Sequence, residues 1–140
     1  MAALTKDRMT LYKGAGIEFE VPMKASTTIY KGSIVMFAAA GYAIPGADTS
    51  GCSFAGIALE QKTSGGSDGD TRIRVRRGNL VLLPTASVTV ADHGEAAVIS
   101  DDQTLTNAAT ATNDVRVGIF VEYAPSGQGG GANTAWVLTD

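Results

Sequence analysis

His93 is the only histidine in the 140-residue chain, and it stands close to Asp92 and Glu95. A histidine-based metal site or a Ser–His–Asp arrangement would have to be built on it. Its surroundings, Thr89–Val90–Ala91–Asp92–His93–Gly94, read instead as one short helical turn with Thr89 as N-cap and Gly94 as the stop. His93 is therefore expected at a solvent-exposed helix end. Cys52, the single cysteine, is far in sequence from that histidine and is not read as a catalytic thiol. Asp68–Gly69–Asp70 lacks the ligand spacing and closing glutamate of a calcium loop and predicts a turn. No Lys-Ser/Thr follows Gly127–Gln128–Gly129–Gly130–Gly131, so that run is not a phosphate loop. Asp101–Asp102 most simply starts a turn. These residues add up to no catalytic, cofactor or metal site, and the expectation is a protein that is not an enzyme.

The side chains most strongly patterned for contact are arginines. Four of the six lie in Thr71–Leu83, where Arg72, Arg74 and Arg76 alternate with Ile73 and Val75. That period of two predicts a strand with one apolar and one basic face, its same-face neighbours roughly 6.5–7 Å apart. Arg77–Gly78–Asn79 breaks the alternation, and a bulge or tight turn there lets Leu80–Leu83 resume as a second, more buried strand. Ile17–Val21 is a further strand, with Ile17, Phe19 and Val21 on one face and Glu18 and Glu20 on the other. If it neighbours the arginine strand, two cross-strand ion pairs follow. Otherwise the row faces a partner's acidic surface or nucleic acid.

The elements that position these residues belong to a β protein. The chain is long enough for one domain with a real core, only 18% of it is charged, and Gly, Ala, Thr and Ser abound. A net charge of −3 argues against general nucleic-acid affinity. The longest apolar run, Ile34–Ala40, is far short of the ~20 residues that span a bilayer, so no membrane partner is expected. Lys6, Asp7 and Arg8 fall where a signal peptide needs its apolar run, and one unpaired cysteine fits a reducing cytoplasm. The reading is a soluble, unprocessed chain. Residues 1–16 predict an extended N-terminal arm with Leu11 and Tyr12 as anchors, and residues 17–140 a single β domain.

Within that domain a pattern repeats. Lys31–Gly32 opens an apolar strand, Gly41–Ile44 returns, Pro45–Ser53 is loop, and Phe54–Glu60 is a strand around Gly56. His93–Gly94, Gln103–Thr106, Asn107–Asp114 and Val115–Tyr123 around Gly118 follow the same plan. Gly32 and Gly94 are 62 residues apart, as are Gly56 and Gly118, which predicts two similar tandem β units. Thr63–Asp70 between them reads as a flexible surface loop, Pro125–Ala132 as a Gly-rich mobile tail, and Thr134–Thr139 as a closing strand whose Trp136 is core-like. About ten short strands and at most one helical turn make an all-β barrel or sandwich.

The TVADxG turn, the SDDQTLT hairpin and the VRVGIFVE strand of Val88–Tyr123 resemble head-decoration (capsid cement) proteins of tailed bacteriophages. GYAIPGAD and FAGIALE in the first half and TAWVL near the end carry the same likeness. The resemblance implies a small β protein bound in many copies to the outer capsid surface, made in the bacterial host cytoplasm. It also implies bridging of neighbouring major capsid protein subunits, homotrimers or dimers, an N-terminal arm reaching the capsid, and no cofactor. Lys6, Arg8, Leu11, Tyr12, Arg72, Arg74 and Arg76 are the expected interface residues. A glycan- or cell-surface-binding module displayed on the virion is the alternative, against which the 6% aromatic content counts.

Overall fold

The computed structural model describes residues 16–126 and 131–140. The strands, in chain order, are β1 (Ile17–Pro22), β2 (Thr28–Ile29), β3 (Ile34–Phe37), β4 (Ala43–Pro45), β5 (Ser53–Ala58) and β6 (Lys62–Thr63), then β7 (Arg72–Arg77) and β8 (Leu80–Pro84). After a 3₁₀ turn at Val90–Asp92 come β9 (Ala96–Ile99), β10 (Leu105–Asn107), β11 (Arg116–Tyr123) and β12 (Thr134–Thr139). The fold is all-β, as expected, with twelve strands among the described residues where the sequence predicts about ten. Its sheets are open and stack as a sandwich; they do not close into a barrel.

Two of the sheets have five strands each, in the orders β1-β7-β5-β3-β4 and β8-β12-β11-β9-β10, and β2 pairs with β6 in a small third sheet. The two large sheets are the tandem units, and the 62-residue offset runs through their whole length. It carries β3 onto β9, β4 onto β10 and β7 onto β12 residue for residue, and β1 onto β8 within one residue. The bulge between Val35 and Met36 in the β3–β5 ladder recurs between β9 and β11 at Arg116/Gly118. The isolated bridge Met23–Ala43 recurs as Thr85–Leu105. Gly32 N–H donates to Ala58 O at 2.8 Å, and Gly94 N–H to Phe120 O at the same distance. The repeat is thus longer than the sequence suggests: the arginine strand and TAWVLT occupy equivalent places.

Close approach of backbones explains why Gly56 and Gly118 are held in common. A Cβ on Gly56 would lie 2.9 Å from Arg76 O, and one on Gly118 would lie 2.0 Å from Leu138 O. Those two carbonyls are themselves a repeat apart, so the same steric demand acts twice.

Each sheet has an inner face, defined by Val21, Ile73 and Val75 in the first unit and by Leu83, Ala135 and Val137 in the second. The first inner face is sealed within its own unit by Met23, Ile29 of β2 and Ala43, all buried. The second is covered from outside its unit, because Ile34, Met36 and Phe54, on the opposite face of the first sheet, join its core. The units therefore stack head to tail. This is why Ile34, Val35 and Met36 are all fully buried and read as a continuous apolar run without alternation.

Polar contacts fix the stack. Asp48 of the first unit accepts from the amides of Thr112 and Asn113 at 2.8 and 2.7 Å, while Ile34 N–H donates to Asp102 O at 2.7 Å. The Thr112 amide above all, and the neighbouring Asn113, hold the Asp48 carboxyl below its ordinary pKa.

Three expectations need correction. β8 is an edge strand with Leu80 exposed and only Leu83 buried, so it is not the more buried partner of β7; the turn at Gly78 sends it into the other sheet. Thr63–Asp70 is not loop throughout, since Thr63 pairs in β6 and Ser64 is buried, its Oγ accepting from Thr27 N–H at 2.8 Å. Trp136 is not a core side chain: Ala135 and Val137 take the inner face, leaving the indole half-buried on the outer one.

Candidate interaction surface

β1 and β7 pair antiparallel with Glu18 opposite Arg76 and Glu20 opposite Arg74. Odd-numbered residues of β7 supply the core through Ile73 and Val75, so the even-numbered arginines stand on the outer face with both glutamates. Glu18 and Arg76 form an ion pair, with Arg76 Nε donating to Glu18 Oε1 at 3.1 Å. That hydrogen bond, followed by the Coulombic pull of Arg76, lowers the pKa of the Glu18 carboxyl. Arg72 Nε lies 3.8 Å from Glu20 Oε2, and Arg72 Nη2 donates to the Glu20 carbonyl at 3.0 Å.

The register brings Arg74 and Glu20 side by side, yet the carboxylate turns diagonally to Arg72. Arg74 is exposed, with no ion pair among the described residues, and its amide N–H donates to Glu60 Oε1 at 3.2 Å. Two of the three outer arginines are thus neutralised within the sheet, and among the described residues Arg74 is the one left without an ion pair. Lys6, Arg8, Leu11 and Tyr12 lie outside the described residues.

Arg77, which the sequence marks only as a break in alternation, has a separate structural role. Its Nη1 donates to Phe54 O and its Nε to Asp140 O, both at 2.8 Å, and its guanidinium carbon sits 4.9 Å from the Phe54 ring centroid. It ties the end of the second unit to a strand of the first. Arg116 completes that corner through an ion pair from Nε to Asp140 Oδ2 at 2.8 Å. The signal available in the sequence was a charged residue on an apolar parity, which calls for specific partners when partly buried.

The chemistry-bearing residues considered first are held in local structure. The turn expected at Thr89–Gly94 is present as a capping box: Thr89 Oγ1 accepts from the Ala91 amide, and the Asp92 carboxylate accepts from Thr89 N–H. His93 is exposed, as expected, and its Nε2 accepts from the Tyr123 amide at 2.9 Å, tying the turn to β11. Asp101 Oδ1 accepts from the amides of Gln103 and Thr104 at 2.9 and 2.7 Å, closing the turn its position predicts. Cys52 is partly buried, with its thiol toward Ser50 O. Among the described residues no group of three or more His, Cys, Asp or Glu is placed to hold a metal ion.

No family model, no curated protein and no solved structure matches this chain.

Proposed function

We propose that the chain is a structural virion protein that binds the outer surface of a tailed-phage capsid and bridges neighbouring major capsid protein subunits. The observation that carries this reading is where its patterned side chains sit. The arginine ladder lies on an open sheet face with Arg74 exposed and without an ion pair among the described residues, a geometry for adhesion to another surface and not for enclosing a substrate. The motifs that resemble capsid cement proteins, the TVADxG turn, the SDDQTLT hairpin and the VRVGIFVE strand, build the frame of the second unit. In this reading the protein does no chemistry: separating two coat subunits must also break the area it covers. Several modest contacts suffice when many copies engage one shell.

Co-sedimentation with isolated expanded capsid shells tests it. The full chain pellets with shells and leaves free coat monomers largely unbound, while deletion of residues 1–12 abolishes pelleting and leaves thermal unfolding of the domain nearly unchanged. Arg74→Glu weakens pelleting and flattens its dependence on salt. A chain that stays in the supernatant with saturating shells would end this reading.

One observation favours the glycan-binding alternative. Trp136 and Glu122 line an open groove on the second unit, in place of the core position expected for the indole. Glycan binding in the absence of any capsid, abolished by Trp136→Ala, would establish that alternative.

A further inference from the structure

The loop Tyr30–Ser33, which leads from β2 into β3, lies one repeat before the capped turn, so that Tyr30, Lys31 and Ser33 correspond to Asp92, His93 and Glu95. The backbones agree: Gly32 and Gly94 have positive φ, 86° and 83°. The side chains are used differently. In the second unit the fold takes them up, Asp92 accepting from the Thr89 amide and His93 from the Tyr123 amide. In the first, the hydroxyls of Tyr30 and Ser33 and the ammonium of Lys31 have no hydrogen-bond or ion-pair partner among the described residues.

Across the stack this loop meets the turn between β9 and β10. Tyr30, Lys31, Gly32, Ser33, Asp102 and Gln103 line a groove of about 380 Å³. That is near the small end of ligand pockets, which run from about 300 to 1,000 Å³. The Asp102 carboxylate and the Gln103 side-chain amide are likewise without partners among the described residues. Polar side chains from both units therefore converge on one groove, and none is committed elsewhere. Ser33 is the most informative of them. It is only 6% exposed, and a hydroxyl on so buried a residue ordinarily finds a partner. Tyr30, by contrast, presents a ring that is 58% exposed. Both walls are fixed before any ligand arrives. Ser33 N–H donates to Tyr30 O at 3.1 Å, Ile34 N–H to Asp102 O at 2.7 Å, and Asp101 Oδ1 holds the amides of Gln103 and Thr104.

We infer that this groove binds a saccharide, with a hexose or N-acetylhexosamine ring of a glycan lying on Tyr30. A sugar ring offers an apolar C–H face and a rim of hydroxyls that both donate and accept. The Tyr30 ring takes the face. Asp102 accepts, Lys31 donates, and Gln103 and Ser33 do both. Other ligand classes suit the groove less well. A phosphate would meet a single cation, Lys31, beside the Asp102 carboxylate. An apolar ligand would strip water from these polar groups and return no hydrogen bond. The low aromatic content of the chain weighs against a platform of several rings, and this site needs one. The inference does not depend on the capsid reading, and the groove shares no residue with the one beside Trp136.

Titration of the full chain with the methyl glycosides of glucose, galactose, mannose and N-acetylglucosamine, followed by amide NMR shifts without shells, supplies the test. Millimolar binding of at least one is expected, with shifts concentrated in Tyr30–Ile34 and Asp102–Thr104. Tyr30→Ala weakens it at least about tenfold and Asp102→Ala about fivefold, while Tyr30→Phe, which keeps the ring, costs less than Tyr30→Ala. His93→Ala, at the position equivalent to Lys31, leaves it unchanged. The same spectra show that each variant is folded. No shift with any of the four glycosides overturns the inference, as does binding indifferent to Tyr30→Ala. Shifts centred on Glu122 and Trp136 would assign the sugar to the other groove and overturn it too. So would sodium phosphate moving the Tyr30–Ile34 amides where the glycosides do not.

Discussion

The two sheets share a backbone plan down to one bulge and one close glycine contact, yet their outer faces differ completely. At equivalent rungs the first carries Glu18–Arg76 and the second Leu80–Leu138. Backbone geometry and inner-face volume therefore constrain the repeat, while the outer rungs are free to diverge with their surroundings. Charged rungs remain soluble unaided and blunt an edge. Apolar rungs call for a cover.

The plan that both sheets share can be broken most severely at Gly118. A methyl there would meet the Leu138 carbonyl at 2.0 Å, whereas at Gly56 the corresponding contact is 2.9 Å. Gly118→Ala is expected to cost about 3 kcal/mol or more in denaturant unfolding and Gly56→Ala less. Equal losses would mean that the two approaches are not as unequal as the distances state.

Next in size is Arg77, which joins the units. Arg77→Lys loses the forked geometry that reaches Phe54 O and Asp140 O together, and about 2 kcal/mol of stability with it. Arg74→Ala on the same strand should stay within ~0.5 kcal/mol. A matching loss at Arg74 would show that the outer row is as structural as the inner residue.

The contrast between faces can also be erased. Leu80→Glu/Leu138→Arg transplants the first unit's rung into the second, and folding stability should change by less than ~1 kcal/mol because both sites are exposed. Denaturant unfolding of the double variant beside wild type checks this.

The smallest effect concerns acid. The folded pKa of Glu18 lies below its unfolded value, so the ion pair's contribution is fully present above the ordinary glutamate value near ~4.3. It is lost as pH falls through the lowered folded value. Wild type should therefore exceed Glu18→Gln in thermal stability at neutral pH, with the gap closing toward the acid end and in high salt. A gap that persists in acid would mean that the carboxylate charge is irrelevant.

Much of this fold is legible in the sequence because its signals are local. Alternation in IEFEV and TRIRV predicts both strands and, once they are paired, the Glu18–Arg76 contact. The Thr89–Gly94 cap and the Asp101 turn are likewise written in adjacent residues. What could not be read is what depends on neighbours far along the chain. Leu80–Leu83 looks like a buried strand because an uncharged run has the same composition in a core and on an uncovered edge. Trp136 looks like core for the same reason. The equivalence of RIRVRR and TAWVLT was hidden because their outer residues share no chemistry, only Ile73/Ala135 and Val75/Val137 being alike. His93, Arg77 and Asp48 act through partners 23 to 65 residues away, which no spacing rule connects.

A density map of the intact particle tests the central claim most directly. Adhesion to the shell predicts ordered density on the outer capsid surface that accepts this two-unit sandwich, touching more than one coat subunit. Virions with a bare outer surface, and the protein recovered free of them, would contradict it.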